Sequence, residues 1–298
     1  MKRIAIAGVT GFVGRGLAAL CEERGIAVTG ISRRGDGQVP GVDRWQKTDA
    51  MDLSGCDAVI NLAGEPIDRR WTAAMKERFR ESRVRFTRDI VVALAQCPDD
   101  RRPRALVNAS AVGIYGDRGD EVLDESAAPG TGFLADLCRD WEAAATEAEA
   151  HGARVAVIRI GMVLGRDGPA WKKLSRLFRL GLGGRLSHGR QWMPWIHVDD
   201  LRAAFLHAAG DESARGPLNG SAPEPARNSD FTRTLAATVN RPALFPAPAP
   251  ALRLALGEFA SVLLASQRVV PAALEAGGFE FRHPALDGAL DDLNKSAT

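Results

Sequence analysis

The stretch Gly8-Val9-Thr10-Gly11-Phe12-Val13-Gly14 decides the fold, because it joins an apolar run at Arg3–Ala7 to a helical pattern that reaches about Glu23. Three glycines at this spacing, between a strand and a helix, are the fingerprint of a dinucleotide-binding turn. They permit a tight turn, a close approach of the pyrophosphate and close packing of the helix on the strand. The free N–H groups at the start of the helix attract phosphate. We therefore expect Gly8 and Thr10–Gly14 to contact a bound dinucleotide.

Farther along the chain, short apolar or β-branched runs alternate with helical stretches. This alternation is typical of a parallel sheet covered by helices on both faces. A Rossmann-type, doubly wound α/β fold is therefore predicted. The clearest strands are predicted at Arg3–Ala7, Ile26–Ile31, Ala58–Leu62, Ala105–Asn108 and Val155–Ile160.

The rhythm changes after about residue 216, where prolines become frequent. We expect a Rossmann-type, dinucleotide-binding domain at residues 1–215 and a small mixed C-terminal lobe at residues 216–298. The lobe is expected on the substrate side, so that the site lies in the crevice between the two units.

Three helices are predicted from apolar periodicity and capping residues. The first, Ser82–Gln96, carries one apolar stripe and is expected to pack on the sheet. The second begins with Asn228 or Ser229 as its N-cap and ends at Val239. The third, Leu252–Ser266, is expected to be largely buried.

Composition narrows the classes of partner. The chain has 298 residues, of which 45% are apolar and 26% are charged, as in soluble globular proteins. Its net charge of +2 favours no nucleic-acid partner, and the arginines between Arg69 and Arg88 are interleaved with acidic residues, as on a solvated helix face. The apolar runs at the N-terminus and at Leu252–Ala265 are broken by glycines or charges, so no membrane segment is expected.

The cysteines favour a cytoplasmic protein without a structural metal. They lie far apart, form no C-x-x-C pair and have no paired histidines nearby. We interpret them as free thiols in a reducing compartment, most of them in the core, and expect no metal site. The four are Cys21, Cys56, Cys97 and Cys138.

The end of the second strand indicates which dinucleotide is bound. An acidic residue at this place would accept hydrogen bonds from a free ribose 2′-hydroxyl. Here Ile31-Ser32 is followed by Arg33-Arg34, and guanidinium groups suit a 2′-phosphate through charge-assisted hydrogen bonds. The prediction is NADP(H), although two surface arginines flanking a loop would give the same pattern.

A second crevice segment follows the strand predicted at Ala58–Leu62. The chain there reads Asn61-Leu62-Ala63-Gly64-Glu65. Ligands of open α/β sheets bind at the carboxyl ends of the strands, and small residues let the backbone approach the cofactor. We therefore expect Leu62, Ala63, Gly64 and Glu65 to contact it.

These motifs together resemble a known family. Gly8–Gly14, Asn61–Gly64, Ser110–Gly116 and Trp195–Asp200 are similar to the successive motifs of extended short-chain dehydrogenases/reductases, the sugar-nucleotide epimerase/dehydratase group. A closer resemblance is to an epimerase-like subfamily with a C-terminal domain of unassigned role. It rests on Gly64–Ile67, Arg70-Trp71, Ser82–Val84, Trp141-Glu142, Gln191–Met193, Phe245–Gly257 and Pro271–Pro284.

The resemblance covers nearly the whole chain and implies an oxidoreductase or epimerase-like enzyme. Its substrate would be a small carbonyl or sugar-like molecule, and a homodimer is compatible with it. The resemblance also implies that Arg159 and Gly161 lie where a strand passes the nicotinamide. Trp192 and Met193 would line an apolar wall, whereas His197 is interpreted as a structural hydrogen-bonding residue.

The proton-transfer residues typical of the superfamily are missing. They are a Tyr and a Lys separated by three residues, with a Ser or Thr one strand earlier. The matching helix is predicted at Gly132–Ala150 and has no such pair, and the only tyrosine of the chain is Tyr115. Ser110, Tyr115, Arg139 and a substrate-bound water are the remaining candidates, although an arginine stays charged near neutral pH. Structural roles explain Ser110 and Tyr115 equally well.

Two hypotheses therefore remain from the sequence. In the first, the chain is an NADP(H)-dependent enzyme that transfers protons without the usual pair. In the second, it binds NADP(H) without turnover and acts as a redox-sensing or regulatory protein. Turnover of any member of a carbonyl panel separates the two.

Overall fold

The computed structural model describes residues 1–295. Its strands are β1 Arg3–Ala7, β2 Ala27–Ser32, β3 Arg44–Lys47, β4 Ala58–Asn61, β5 Ala105–Ala111, β6 Val122–Leu123, β7 Arg154–Ile160, β8 Met162–Leu164, β9 Trp192–Met193, β10 Trp195–His197, β11 Gly216–Gly220, β12 Ala226–Arg227 and β13 Arg268–Val269. Its α-helices are α1 Phe12–Glu23, α2 Ala73–Arg80, α3 Phe86–Ala95, α4 Phe133–Thr146, α5 Pro169–Arg179, α6 Val198–Gly210, α7 Asn228–Thr238, α8 Ala249–Leu256, α9 Ala260–Leu264, α10 Ala272–Ala276 and α11 Leu286–Asn294.

A parallel sheet of seven strands forms the centre of the molecule, in the order β3–β2–β1–β4–β5–β7–β11. In β1, Ile6 pairs with Gly30 of β2 on one side and with Ile60 of β4 on the other. Because the chain builds outward from β1 in both directions, the carboxyl ends of β1 and β4 flank a topological switch point. This arrangement confirms the predicted fold class.

The two faces of the sheet are covered by different helices. Successive side chains of a strand point to opposite faces. In β1, Ile6 packs with Leu17 of α1 and Phe205 of α6, whereas its neighbour Ala7 packs on the other face with Ile90 of α3. Burial of each such large apolar side chain contributes about 1.5–3 kcal/mol. Each of the five predicted strands is present, and β1 has its predicted bounds.

The sheet extends past the domain boundary predicted at residue 215. Strand β11 pairs with β7 from Gly216, opposite Ala156, to Gly220, opposite Ile160. The C-terminal lobe packs beside this edge through a separate apolar cluster that joins Phe231 of α7 to Leu290 of α11. Among the described residues, no helix is both long and apolar enough to cross a membrane.

The three predicted helices differ in detail from those observed. A π-helical turn, Glu81–Arg85, occupies the start of the first. Asn228 begins α7 but does not cap it, because its side-chain oxygen accepts a hydrogen bond from the Leu186 amide instead. The third helix is wrong in extent and burial. It divides at Gly257, whose φ of +61° ends α8, and Leu254 is 80% exposed.

Candidate functional site

The glycine turn after β1 has room for backbone only. Gly8 has a φ of +79°, and a Cβ on it would lie 2.9 Å from the Ala63 nitrogen. A Cβ on Gly14 would lie 2.5 Å from the Gly8 carbonyl oxygen. Gly11 is the N-cap of α1 and has no side-chain cap, and no acidic residue stands in the first turn of that helix. The N–H groups at the start of α1 are therefore available to an anion.

The other predicted residues of the turn frame this opening. Thr10 and Gly11 are exposed, whereas Phe12 and Val13 are half-buried. The Phe12 ring lies 5.6 Å from the Arg202 guanidinium. Phe12 also lies against Gly165, where an added Cβ would come within 2.5 Å of the ring. The start of α1 is thus fixed against the loop after β8.

The end of β2 presents two exposed arginines beside the glycine turn. The Ser32 hydroxyl donates to the Asp36 carbonyl and accepts from the Gly35 amide, which shapes the loop that carries Arg33 and Arg34. Arg34 lies 3.5 Å from the Asp36 carboxylate, with both side chains at least 75% exposed. Such a surface pair contributes at most about 1 kcal/mol. Both guanidinium groups therefore remain able to bind a phosphate.

A buried amide network holds the end of β4. The Asn61 amide nitrogen donates to Thr87 Oγ1 at 2.9 Å and to Asn108 Oδ1 at 2.7 Å. Its side-chain oxygen accepts from the Ala63 amide at 3.1 Å. Thr87 also accepts from the Trp141 indole nitrogen. These bonds fix the path of Leu62, Ala63 and Gly64, since buried polar groups of this kind are costly to leave unpaired.

A second polar network lies below the end of β5. Ser110 Oγ donates to Glu142 Oε1 at 2.7 Å, and the same carboxylate accepts two hydrogen bonds from Arg159 at 2.9 Å. Arg159 Nη1 donates to the Tyr115 hydroxyl at 2.9 Å, and that hydroxyl donates to Asn219 Oδ1 at 2.7 Å. The fold thus brings together three residues from the predicted set, Ser110, Tyr115 and Arg159.

Three predicted side chains are buried or engaged by other groups of the protein. Tyr115 has no exposed surface, and burial raises the pKa of its hydroxyl. The Arg159 side chain turns into the core toward Glu142 and away from a cofactor. Arg139 lies on the exposed side of α4, where it pairs with Asp136. Of the three predicted catalytic side chains, Ser110 alone stands at a strand end beside the crevice.

Glu142 and Asn219 are residues of this network that sequence reasoning did not assign to the site, and only Glu142 had a signal in the sequence. The sequence feature that could have identified Glu142 is the pair Trp141-Glu142, which is part of the family resemblance. Two turns earlier, α4 presents Leu134, whose Cδ1 would lie 3.2 Å from a Cβ on Gly113. Cys138 of α4 interacts with the Ser110 hydroxyl, and burial raises the pKa of its thiol to about 11. Beside Ser110, this helix therefore presents the buried Cys138 thiol and the Glu142 carboxylate, which pairs with Arg159.

Two predicted contact residues line the crevice from opposite sides. Glu65 is half-buried, and its carboxylate lies 3.3 Å from Arg69 and 3.9 Å from Arg78. Gly161 follows β7 and donates its amide hydrogen to the Gly220 carbonyl. A Cβ on Gly161 would lie 2.8 Å from the Pro194 carbonyl oxygen, so only glycine fits.

A cavity of about 330 Å³ opens beside the lobe. Its lining includes Asp117, His188, Arg253 and Leu264, which combine charged and apolar groups. Gln191 also lines it, is 2% exposed, and has no hydrogen-bond partner for its side-chain oxygen among the described residues. A buried acceptor of this kind favours a ligand or water that donates a hydrogen bond.

The buried ring of His197 packs against the half-buried ring of His283 where the lobe meets α6. The ring centres of His197 and His283 lie 3.9 Å apart, and His197 Nε2 lies 3.6 Å from the Asp292 carboxylate. The ligating atoms of the three residues lie within 4.8 Å of one another. Two imidazoles on one tetrahedral zinc ion, with Zn–N bonds of about 2 Å, hold their ring centres about 5 Å apart. The stacking is therefore too close for both rings to bind one ion.

Comparison with known proteins assigns the family. A model of the NAD dependent epimerase/dehydratase family matches residues 4–219, and a domain of unknown function, DUF1731, matches residues 247–293. Epimerase family protein ML0860 of Mycobacterium leprae is 40% identical over 96% of this chain and 94% of its own length. The chain belongs to the NAD dependent epimerase/dehydratase family.

Other members of the family resemble the chain over its whole length. Epimerase family protein SDR39U1 of Homo sapiens is 36% identical over 98% of this chain and 99% of its own. A crystal structure of human SDR39U1, isoform 2, with NADPH matches with a TM-score of 0.90 at 34% identity, covering 99% of each chain. UDP-glucuronic acid 4-epimerase from Bacillus cereus, at 17% identity and a TM-score of 0.76, shares the fold.

Membership in the epimerase/dehydratase family gives the chain a dinucleotide-binding domain. The glycine turn after β1 and the end of β4 both lie within the residues that the family model matches. The DUF1731 match covers α8 to α11 and so includes the walls of the cavity formed by Arg253 and Leu264. The family domain and DUF1731 therefore lie on two sides of one crevice.

Proposed function

We propose that the chain binds NADP(H) in this crevice and acts as an oxidoreductase or epimerase-like enzyme on a small carbonyl or sugar-like substrate. The observation that carries the cofactor choice is the pair of exposed arginines, Arg33 and Arg34, beside the open N-terminus of α1. The pyrophosphate binds at Gly11 and the first turn of α1, and the two guanidinium groups bind the 2′-phosphate. The NADPH in the human SDR39U1 structure supports this choice.

Each remaining predicted contact residue has a separate role in this proposal. The backbone of Leu62, Ala63 and Gly64 forms the wall on the β4 side, with Glu65 at its rim. Gly161 lets the chain after β7 pass close to the nicotinamide. When bound, the reduced cofactor supplies a hydride.

Ser110 is the group that meets the substrate. Its hydrogen is directed to Glu142, so the oxygen of Ser110, which is 3% exposed, keeps its capacity to accept a hydrogen bond. It therefore holds a water molecule or the hydroxyl of the alcohol form of the substrate. The proton that a reduced carbonyl requires comes from such a water, because Tyr115 is sealed in the core and Arg139 lies outside.

The rival proposal is a redox-sensing or regulatory protein that binds NADP(H) without turnover. The observation in its favour is the face of α4 beside Ser110, which carries Leu134, Cys138 and a Glu142 carboxylate that is already paired with Arg159. Incubation with NADPH and a panel of carbonyl compounds distinguishes the two proposals. NADPH oxidation that depends on a panel member establishes the enzyme, whereas tight binding without oxidation favours the regulatory protein.

The cofactor choice is tested by calorimetric titration with NADPH and NADH. We expect Arg33→Ala combined with Arg34→Ala to weaken NADPH binding roughly 10- to 100-fold, since a hydrogen bond to a charged group contributes about 1.5–3 kcal/mol. NADH binding should change by less than about twofold, because NADH lacks the 2′-phosphate. Arg24→Ala, at the exposed far end of α1, is the control. Equal losses for both dinucleotides would refute the assignment.

We further propose that the partners are small molecules and not nucleic acid, and that the chain is a cytoplasmic homodimer. Four free cysteines, all buried, are compatible with a reducing compartment. Light scattering of the purified protein tests the dimer. A monomer mass at all concentrations would exclude it.

A further inference from the structure

Arg83 lies in the π-helical turn Glu81–Arg85, directly beside the end of β4. A Cβ on Gly64 would lie 3.0 Å from the Arg83 Cζ atom. The guanidinium is held between two aromatic rings, 5.1 Å from the centre of the Trp141 ring and 5.9 Å from that of Phe79. Turns with an extra residue of this kind occur frequently at functional sites. Arg83 is therefore placed firmly at the wall of the crevice.

Its positive charge has no acidic partner in the described part of the chain. The carboxylate that acts on this charge, that of Glu65, is engaged by Arg69 and Arg78. Burial lowers the pKa of the Arg83 guanidinium, which nevertheless stays protonated. A half-buried cation without a carboxylate is costly, which favours the presence of an oxygen ligand.

The donors of Arg83 are only partly used. Nη1 donates to the Glu65 carbonyl at 3.0 Å and lies 3.4 Å from the Ser82 hydroxyl. A guanidinium has five N–H donors in a rigid fork. Within residues 1–295, both hydrogen bonds that the Arg83 side chain donates come from Nη1, and Nη2 and Nε donate none to a protein acceptor. One edge of the fork is thus free for a ligand.

The order of the strands indicates which part of a dinucleotide meets this edge. Arg33 and Arg34 follow β2, the glycine turn follows β1, Arg83 lies beside the end of β4, and Ser110 lies at the end of β5. Neighbouring strands are about 4.8 Å apart, so β2 and β4 are about 10 Å apart. An extended dinucleotide with its 2′-phosphate at Arg33 and Arg34 and its phosphates at α1 brings its second ribose to β4.

We propose that Arg83 binds the hydroxyl oxygens of the nicotinamide-side ribose through its free edge. This inference rests on the proposed binding of NADP(H). Arg83 thereby fixes the nicotinamide half at Ser110, independently of the arginine pair that holds the adenine half. The adenine half and the nicotinamide half of the cofactor are then bound by two separate sets of guanidinium groups.

The test compares two probes on the full chain by calorimetry. One is NADPH. The other is 2′-phosphoadenosine 5′-diphosphate, which keeps the 2′-phosphate and the diphosphate but lacks the nicotinamide and its ribose. We expect Arg83→Met to weaken NADPH binding roughly 10- to 100-fold and to change binding of the second probe by less than about twofold. The double replacement of Arg33 and Arg34 should weaken both probes. Arg88→Met, an exposed arginine of α3, should change neither.

Circular dichroism at each step shows whether Arg83→Met is folded. If it is not, Arg83→Lys takes its place, because lysine keeps the charge and loses the fork, and the same selective loss is expected with a smaller size. Equal weakening of both probes would place Arg83 on the diphosphate and overturn the proposal, as would unchanged NADPH binding. A parent chain that binds no NADPH would instead refute the proposed function.

Discussion

Replacement of Tyr115 by Phe removes one buried hydroxyl and leaves the ring in place. In the folded chain this hydroxyl donates to Asn219 Oδ1 at 2.7 Å and accepts from Arg159 Nη1 at 2.9 Å. Arg159 keeps both of its hydrogen bonds to Glu142 in the variant. Asn219 Oδ1 loses this donor, and an unpaired buried acceptor costs about 1–3 kcal/mol. We therefore expect the free energy of unfolding to fall by about 2 kcal/mol.

Urea unfolding followed by tryptophan fluorescence measures this loss, with an unchanged slope if the same surface is exposed on unfolding. NADPH affinity of the folded variant should stay within about twofold of the parent, because the Tyr115 side chain has no exposed surface. Ser213→Ala, which removes an exposed hydroxyl, should cost less than about 0.5 kcal/mol. Unchanged stability together with lost cofactor-dependent turnover would show that Tyr115 carries a proton, and the structural assignment would fail.

Two further predictions concern the turn after β1 and the stacked histidines. Gly14→Ala brings a methyl group to 2.5 Å from the Gly8 oxygen. We therefore expect NADPH binding, measured by calorimetry, to weaken at least about tenfold, and the free energy of unfolding to fall by about 1–3 kcal/mol. Gly288→Ala, which places its methyl group in open space, should leave NADPH binding unchanged. Burial and the neighbouring His283 lower the pKa of His197 from 6.5 to about 4, with Asp199, Asp292 and Arg202 also facing it. The unfolded chain therefore binds the extra proton between these pH values, and stability should fall by up to about 3 kcal/mol as pH drops from 6.5 to 4. Urea midpoints of the parent and His197→Gln measure this dependence, and equal pH slopes would contradict the reasoning.

Local sequence patterns were sufficient for the sheet and for the glycine turn after β1. A short apolar run followed by a glycine-rich turn specifies its own geometry, because Gly8 needs a positive φ and Gly14 leaves no room for a Cβ. The strand predicted at Val155–Ile160 is observed at Arg154–Ile160. It was predictable because buried parallel strands are continuous apolar runs. These features depend on neighbours a few residues away.

The polar networks depend on neighbours far away in sequence and were not predictable in the same way. Arg159 looked like a cofactor residue because it stands at a strand exit, yet Glu142 of α4 and Tyr115 capture its guanidinium. No local pattern reports that pairing. Arg83 was likewise one arginine among several in a segment interpreted as a solvated face. Its position depends on α4 and on the end of β4, which are distant in sequence and contact Arg83 only in the folded chain.

The Glu142 carboxylate is an unsuitable proton acceptor for catalysis, although it lies beside Ser110. It accepts hydrogen bonds from the Ser110 hydroxyl and twice from Arg159, and both charged side chains are largely buried. Removal of one partner from a buried pair costs about 3–5 kcal/mol, so Arg159 holds the Glu142 carboxylate firmly in place. The pair instead directs the Ser110 hydrogen away from the crevice. In the proposed enzyme, proton transfer would then pass through a water held by the Ser110 oxygen, and a chain that excludes this water would bind NADP(H) without turnover.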